Sequence, residues 1–163
     1  MYHIGVADVE EASIMFEENS YRLNDVAYDG TVEVVGTSIA VGDSDYPLFA
    51  PGAMETYKDG ESQILLPYGR VNVELYSDTR DKLDISKAAE ITFEIEDDLA
   101  QIAPDEIPMW YLDTGTGRWI EDGLAIKSGF QYIGEVSHFT DWSICEPFDV
   151  YTVPGKVTRN GMP

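Results

Sequence analysis

Arg70-Val71-Asn72-Val73-Glu74-Leu75-Tyr76 and Glu90-Ile91-Thr92-Phe93-Glu94-Ile95-Glu96 decide the fold class. Both stretches alternate apolar and polar residues. Val71, Val73 and Leu75 share one face of the first, and Ile91, Phe93 and Ile95 share one face of the second. Successive side chains of a strand point to opposite faces, so each stretch predicts a half-buried β-strand. The same reading predicts strands over residues 12–16, 31–41, 61–66, 109–112, 118–121, 124–127, 131–136 and 138–145.

Turn residues separate these segments. Tyr28-Asp29-Gly30, Lys58-Asp59-Gly60 and Glu121-Asp122-Gly123 are Asp-Gly turns, where glycine accepts positive φ without a Cβ clash. Asp113-Thr114-Gly115-Thr116-Gly117 reads as a longer hairpin loop, and Ser128-Gly129 closes the next hairpin. One short helix is predicted at Asp97-Asp98-Leu99-Ala100-Gln101-Ile102-Ala103. Acidic residues suit its N-terminal dipole, and Pro104 stops it. Together these features predict an all-β fold: one antiparallel β-sandwich of about ten short strands with one short helix. The sandwich is assigned to residues 1–147. Residues 148–163 read as a linker and the first strand of a following domain, because an Asn160-Gly161 turn begins there without its return strand.

The 163 residues suit one domain with its own core, and 44% of them are hydrophobic. The charge is the unusual feature: 31 acidic residues against 10 basic give a net charge of −21. Such a surface repels phosphate backbones and anionic lipid, which excludes nucleic acid as a partner class. Dispersed acidity also simply keeps a protein soluble. No apolar run approaches the roughly 18–20 residues of a membrane-spanning helix, so no membrane insertion is expected. Cys145 is alone, which leaves no disulfide framework within the chain.

A longer stretch is distinctive. Ile107-Pro108-Met109-Trp110-Tyr111-Leu112-Asp113 leads to Gly117-Arg118-Trp119-Ile120-Glu121-Asp122-Gly123. Tyr132-Ile133-Gly134-Glu135-Val136-Ser137-His138-Phe139-Thr140-Asp141-Trp142 then follows. This pattern resembles a family of bacterial, mostly Bacteroidetes-type, secreted surface proteins, and a segment of the animal cartilage intermediate layer proteins. Phe16-Glu17-Glu18-Asn19-Ser20, Ala50-Pro51-Gly52-Ala53-Met54 and Tyr68-Gly69-Arg70-Val71-Asn72-Val73-Glu74-Leu75 extend the resemblance upstream. The segment 155–163 resembles the first strand of a carboxypeptidase-regulatory-like domain. The resemblance implies an extracellular, cell-surface β-sandwich in a modular chain, with no established catalytic activity.

Three candidate sites stand beside plainer readings. His138-Phe139-Thr140 resembles the cleavage sites of autoprocessing sandwich domains, such as the PIDD and FIIND segments and the GAIN domains of adhesion receptors. There the hydroxyl of Thr140 would attack the carbonyl of Phe139, and His138 would take or orient its proton. The plainer reading makes Thr140 a strand residue and Phe139 a core aromatic. Asp43 with Asp45, and Asp78 with Asp81 and Asp84, are acidic loops that offer oxygen ligands to calcium, or are simply solvated. Trp110, Tyr111 and Trp119, with Tyr132 and Trp142, either line a glycan-stacking platform or fill the core. Asp113-Thr114-Gly115 spells an aspartic-protease tripeptide but lies in a glycine-rich turn, and no G-x-S-x-G or H-E-x-x-H is present.

The expected function is a non-enzymatic extracellular structural or adhesion module. Its expected partners are neighbouring domains of the same chain and a surface glycan or protein. No cofactor is expected, with calcium as the open alternative. Self-cleavage between Phe139 and Thr140, and glycan or calcium binding, are the other readings.

Overall fold

Thirteen strands and one helical turn follow one another along the chain in a computed structural model, which describes residues 5–9, 12–38, 41, 54–58, 60–151 and 154–155. They are β1 (Gly5–Val9), β2 (Ala12–Phe16), β3 (Tyr21–Leu23), β4 (Val26–Ala27), β5 (Val32–Ser38), β6 (Glu55–Lys58) and β7 (Glu61–Ser77). After these come β8 (Lys82–Ile85), β9 (Ala89–Glu94), α1 (Asp97–Ala100), β10 (Glu106–Asp113), β11 (Arg118–Ser128), β12 (Gln131–Val136) and β13 (Asp141–Asp149). The all-β, antiparallel expectation holds, with α1 where the acidic start and Pro104 place it. The strands form one hydrogen-bonded sheet in the order β1-β2-β9-β12-β11-β10-β13-β7-β8-β3-β4, with β5 and β6 also paired to β7. The sandwich is therefore built from a single curled sheet.

Alternation explains the main core. Ile14 of β2, Val71, Val73 and Leu75 of β7, Ile91 and Phe93 of β9, and Ile107 and Met109 of β10 are buried together with Tyr132, Trp142 and Ile144. Each large apolar side chain buried this way contributes about 1.5–3 kcal/mol. A second, smaller cluster holds Leu65, Trp110, Trp119 and Cys145, with Met54 and Leu112 against it.

Two bulges explain both clusters and two departures from the sequence reading. The expected strands 61–66 and 70–76 are one strand of 17 residues, β7. Pro67, which looks like a break, sits at a register shift: Ile144 pairs with Gly69, Cys145 pairs with Pro67, and Tyr68 is the extra residue. A bulge accommodates proline and changes which side chains face inward. On one side of the shift Tyr68 and Ile144 join the main core; on the other, Leu65 and Cys145 join the second cluster. Likewise Glu121-Asp122-Gly123 is no hairpin turn. β11 runs through it, and Asp122 and Gly123 together oppose Met109 across a shift in the β10–β11 ladder. Gly123 adopts φ +91°, which lets the strand absorb the extra residue.

The last strand starts at Asp141, three residues later than expected, because residues 138–140 form a corner. The β13 ladder continues through Phe148 and Asp149, and the Val150 N–H donates to Ser62 O at 3.2 Å. Lys127 points inward and bonds the carbonyls of Ala100 and Ala103, which fixes the end of α1 to β11.

Candidate functional site

The corner between β12 and β13 holds the sequence's most distinctive motif. Trp142 opens the buried part of β13 and donates from its indole Nε1–H to the carbonyl of His138 at 3.0 Å. The His138 ring lies edge-on to Tyr111 at 4.6 Å between centroids and tilted against Trp142 at 5.2 Å. Tyr111 and Trp142 are themselves 5.5 Å apart, so three rings from β10, the corner and β13 pack as a triangle. The hydroxyl of Ser137 lies 3.3 Å from His138 Nδ1. Phe139 turns the other way, onto Phe16 at 5.5 Å.

Thr140 and Asp141 complete the lock. The Thr140 hydroxyl donates to Leu112 O at 3.2 Å, so its partner is a carbonyl of β10 rather than the imidazole of His138. The Thr140 carbonyl accepts from the Val73 N–H at 3.5 Å. Asp141 faces Arg70 of β7, bonding Nη2 and, at 3.1 Å, Nε. Arg70 is only 7% exposed, and a guanidinium taken out of water in this way needs an anionic partner. Sequence reading missed this ion pair, because its members stand 71 positions apart. Among the described residues the non-glycine positive φ angles occur at Asn19, Asn24, Asp25 and Arg80, none of them in the corner. The corner directs His138 and Phe139 into packing and Thr140 into a backbone bond.

The proposed aromatic platform is not assembled. Trp110 and Trp119 are each 1% exposed and lie in the second cluster, so neither presents a ring face to a sugar. Both strands curl toward Leu65 and Cys145, and apolar burial of rings this large outweighs exposure. Trp110 Nε1–H donates to Cys145 O at 3.1 Å, while Trp119 Nε1 has no partner among the described residues. Tyr111 is half-buried against His138. Cys145 is buried, its thiol lies 3.1 Å from Ser143 Oγ, and desolvation pushes its pKa up to about 12.

The acidic loops divide. Asp43 and Asp45 lie outside the described residues. Asp78, Asp81 and Asp84 are not brought together as a cation cage. Asp78 accepts from Tyr28 OH at 3.2 Å, Asp81 accepts from Thr79 Oγ1 at 2.7 Å, and Asp84 of β8 stands opposite Arg22 of β3 in the ladder. Among the described residues no group of three or more His, Cys, Asp or Glu side chains is placed to hold a metal ion. Asp113 is a turn lock: it accepts from the Gly115 N–H at 2.9 Å and from Thr116 Oγ1 at 2.7 Å. The Thr116 and Gly115 bonds hold its pKa below the ordinary carboxylate value.

One concave feature escaped sequence reading. A groove of about 230 Å³ lies between β2, β9 and β12, lined by Met15, Phe16, Glu17, Ala88, Glu90 and Glu135. Its residues come from three segments that only the sheet order makes adjacent. No family model, curated protein or solved structure matches the chain.

Proposed function

We propose that this chain is a non-enzymatic structural and adhesive module of a multidomain surface protein, working outside the cell. The observation that carries the proposal is the placement of β13. It lies between β7 and β10, and its ladder to β7 runs from Asp141 to Asp149. A pull along the C-terminal end of this strand loads parallel rows of hydrogen bonds in shear, so many bonds must yield together. The corner lock and the Arg70–Asp141 pair anchor the other end of the same strand. Such a strand suits a joint that transmits force between neighbouring domains. The resemblance of the 107–142 stretch to bacterial surface modules supports the same reading.

Force spectroscopy tests it. The chain is pulled by its ends in tandem with immunoglobulin marker domains. Release of β13 is expected at forces comparable to the markers. Should β13 come free before any marker in every trace, it bears no load and the joint reading fails.

A further inference from the structure

The outer face of the sheet, opposite the main core, carries an apolar patch bordered by carboxylates. On β12 Tyr132, Gly134 and Val136 are buried, so Ile133 and Glu135 point outward. On β11 Ala125 is buried against the core, and Leu124 and Ile126 point outward, 51% and 49% exposed. Ile126 stands directly opposite Ile133, Ile133 opposite Thr92, and Leu124 opposite Pro108. The apolar patch thus runs from Ile133 of β12 over Ile126 and Leu124 of β11 to Pro108 of β10, with Thr92 of β9 at its edge. Glu106 stands opposite Ile126 at one margin, and Glu90 faces Glu135 directly across β9 and β12 at another. There the face opens into the groove, where Met15 and Glu17 join them.

The charges on this face are one-sided. Like charges directly opposite each other on paired strands repel. The cations of β10, β11, β12 and β9 are Arg118 and Lys127. Arg118 lies over the Tyr57 ring at 5.8 Å, and Lys127 is turned inward onto Ala100 and Ala103. Lys87 beside the groove pairs with Glu17. Among the described residues no lysine or arginine bonds Glu90 or Glu135.

We infer that this face docks a basic amphipathic segment of a partner protein. Apolar side chains of the segment cover Leu124, Ile126 and Ile133. Its lysines or arginines reach Glu90, Glu135 and Glu106, and one long side chain enters the groove, its methylenes along Met15 and its charge toward the glutamates. A second copy of this chain does not fit, because a two-fold contact sets the same carboxylates against each other. This partner lies beyond the load-bearing role of β13, and either reading stands without the other.

The probe is a ten-residue peptide of alternating leucine and lysine, with alternating serine and lysine as its control of equal charge. Binding is measured by calorimetry, and the contact face by amide shift perturbation. The leucine–lysine peptide is expected to shift the amides of β11 and β12. Leu124→Thr/Ile126→Thr and Glu90→Gln/Glu135→Gln are each expected to weaken it about tenfold. Asp97→Asn/Asp98→Asn, an equal charge change on exposed α1, is expected to leave it unchanged. Equal losses from both charge pairs, or equal binding of the serine–lysine control, would show mere attraction to a polyanion and overturn the inference. A dimer in sedimentation that Leu124→Thr/Ile126→Thr dissolves would assign the face to a second copy and overturn it as well.

Discussion

Trp142 combines two functions in one side chain: its rings fill the space beside Tyr111 and His138, and its indole N–H closes the corner through the His138 carbonyl. Trp142→Phe keeps much of the first and removes the second. A loss of about 1 kcal/mol from the missing bond, added to a smaller packing loss, is expected in urea unfolding. Because the Thr140 hydroxyl serves Leu112 O, the purified chain is expected to run as a single species of 18.2 kDa under denaturing conditions, and Thr140→Ala to give the same pattern. Two fragments from the wild type, joined into one by that substitution, would revive the self-cleavage reading. Asp113 responds to pH. Its folded pKa lies below the ordinary value, so its contribution is complete above the unfolded pKa and disappears as pH falls through the folded one. In an NMR titration the Asp113 carboxyl and the Gly115 amide are expected to move together, with a midpoint below that of a free aspartate. Asp113→Asn abolishes the amide transition. At this scale the motif itself was legible in His138-Phe139-Thr140-Asp141-Trp142. The direction of each side chain was not, because Leu112, Arg70 and Phe16 reach the corner only through the sheet.

Among the elements, strong alternation was the dependable signal. The bounds read for 12–16 and 131–136 coincide with β2 and β12. β3, β4, β6 and β8 have four residues or fewer, too short for a period to show, and β1 was also missed. Gly123 reads as punctuation because glycine usually ends strands, yet it and Pro67 both sit at bulges inside long ones. Bulges need a partner strand to define them, and a sequence does not display its partners. Gly134 shows how closely the elements pack. A Cβ there would meet Met109 Sδ, and would lie 3.3 Å from Ala125 Cβ. Met109 and Ala125 are both fully buried, with little room to yield. Gly134→Ala is expected to destabilise the fold by about 1–3 kcal/mol in urea or thermal unfolding.

For the molecule as a whole, the net charge of −21 sets the response to salt. Self-repulsion is greater in the compact state and is screened within about 10 Å at 0.1 M salt. The melting temperature is therefore expected to rise between 10 and 200 mM sodium chloride, as roughly set by that screening length. A flat or falling curve would mean that the few ion pairs, such as Lys58–Glu121 and Lys82–Glu74, outweigh the repulsion. The all-β class was legible from two alternating segments, whereas the joining of all the strands into one curled sheet was not, since that depends on which strands meet. The position of β7 also reaches back to the birth of the chain. It emerges from the ribosome well before its long central partner, β13, which is the last of the described strands to be made. Until then β7 holds an open edge bearing Leu65, Val71 and Val73, the kind of edge that pairs with the wrong strand. Completion of the sheet waits until β13 has been made, and a cell that makes this protein must keep that edge covered in the meantime.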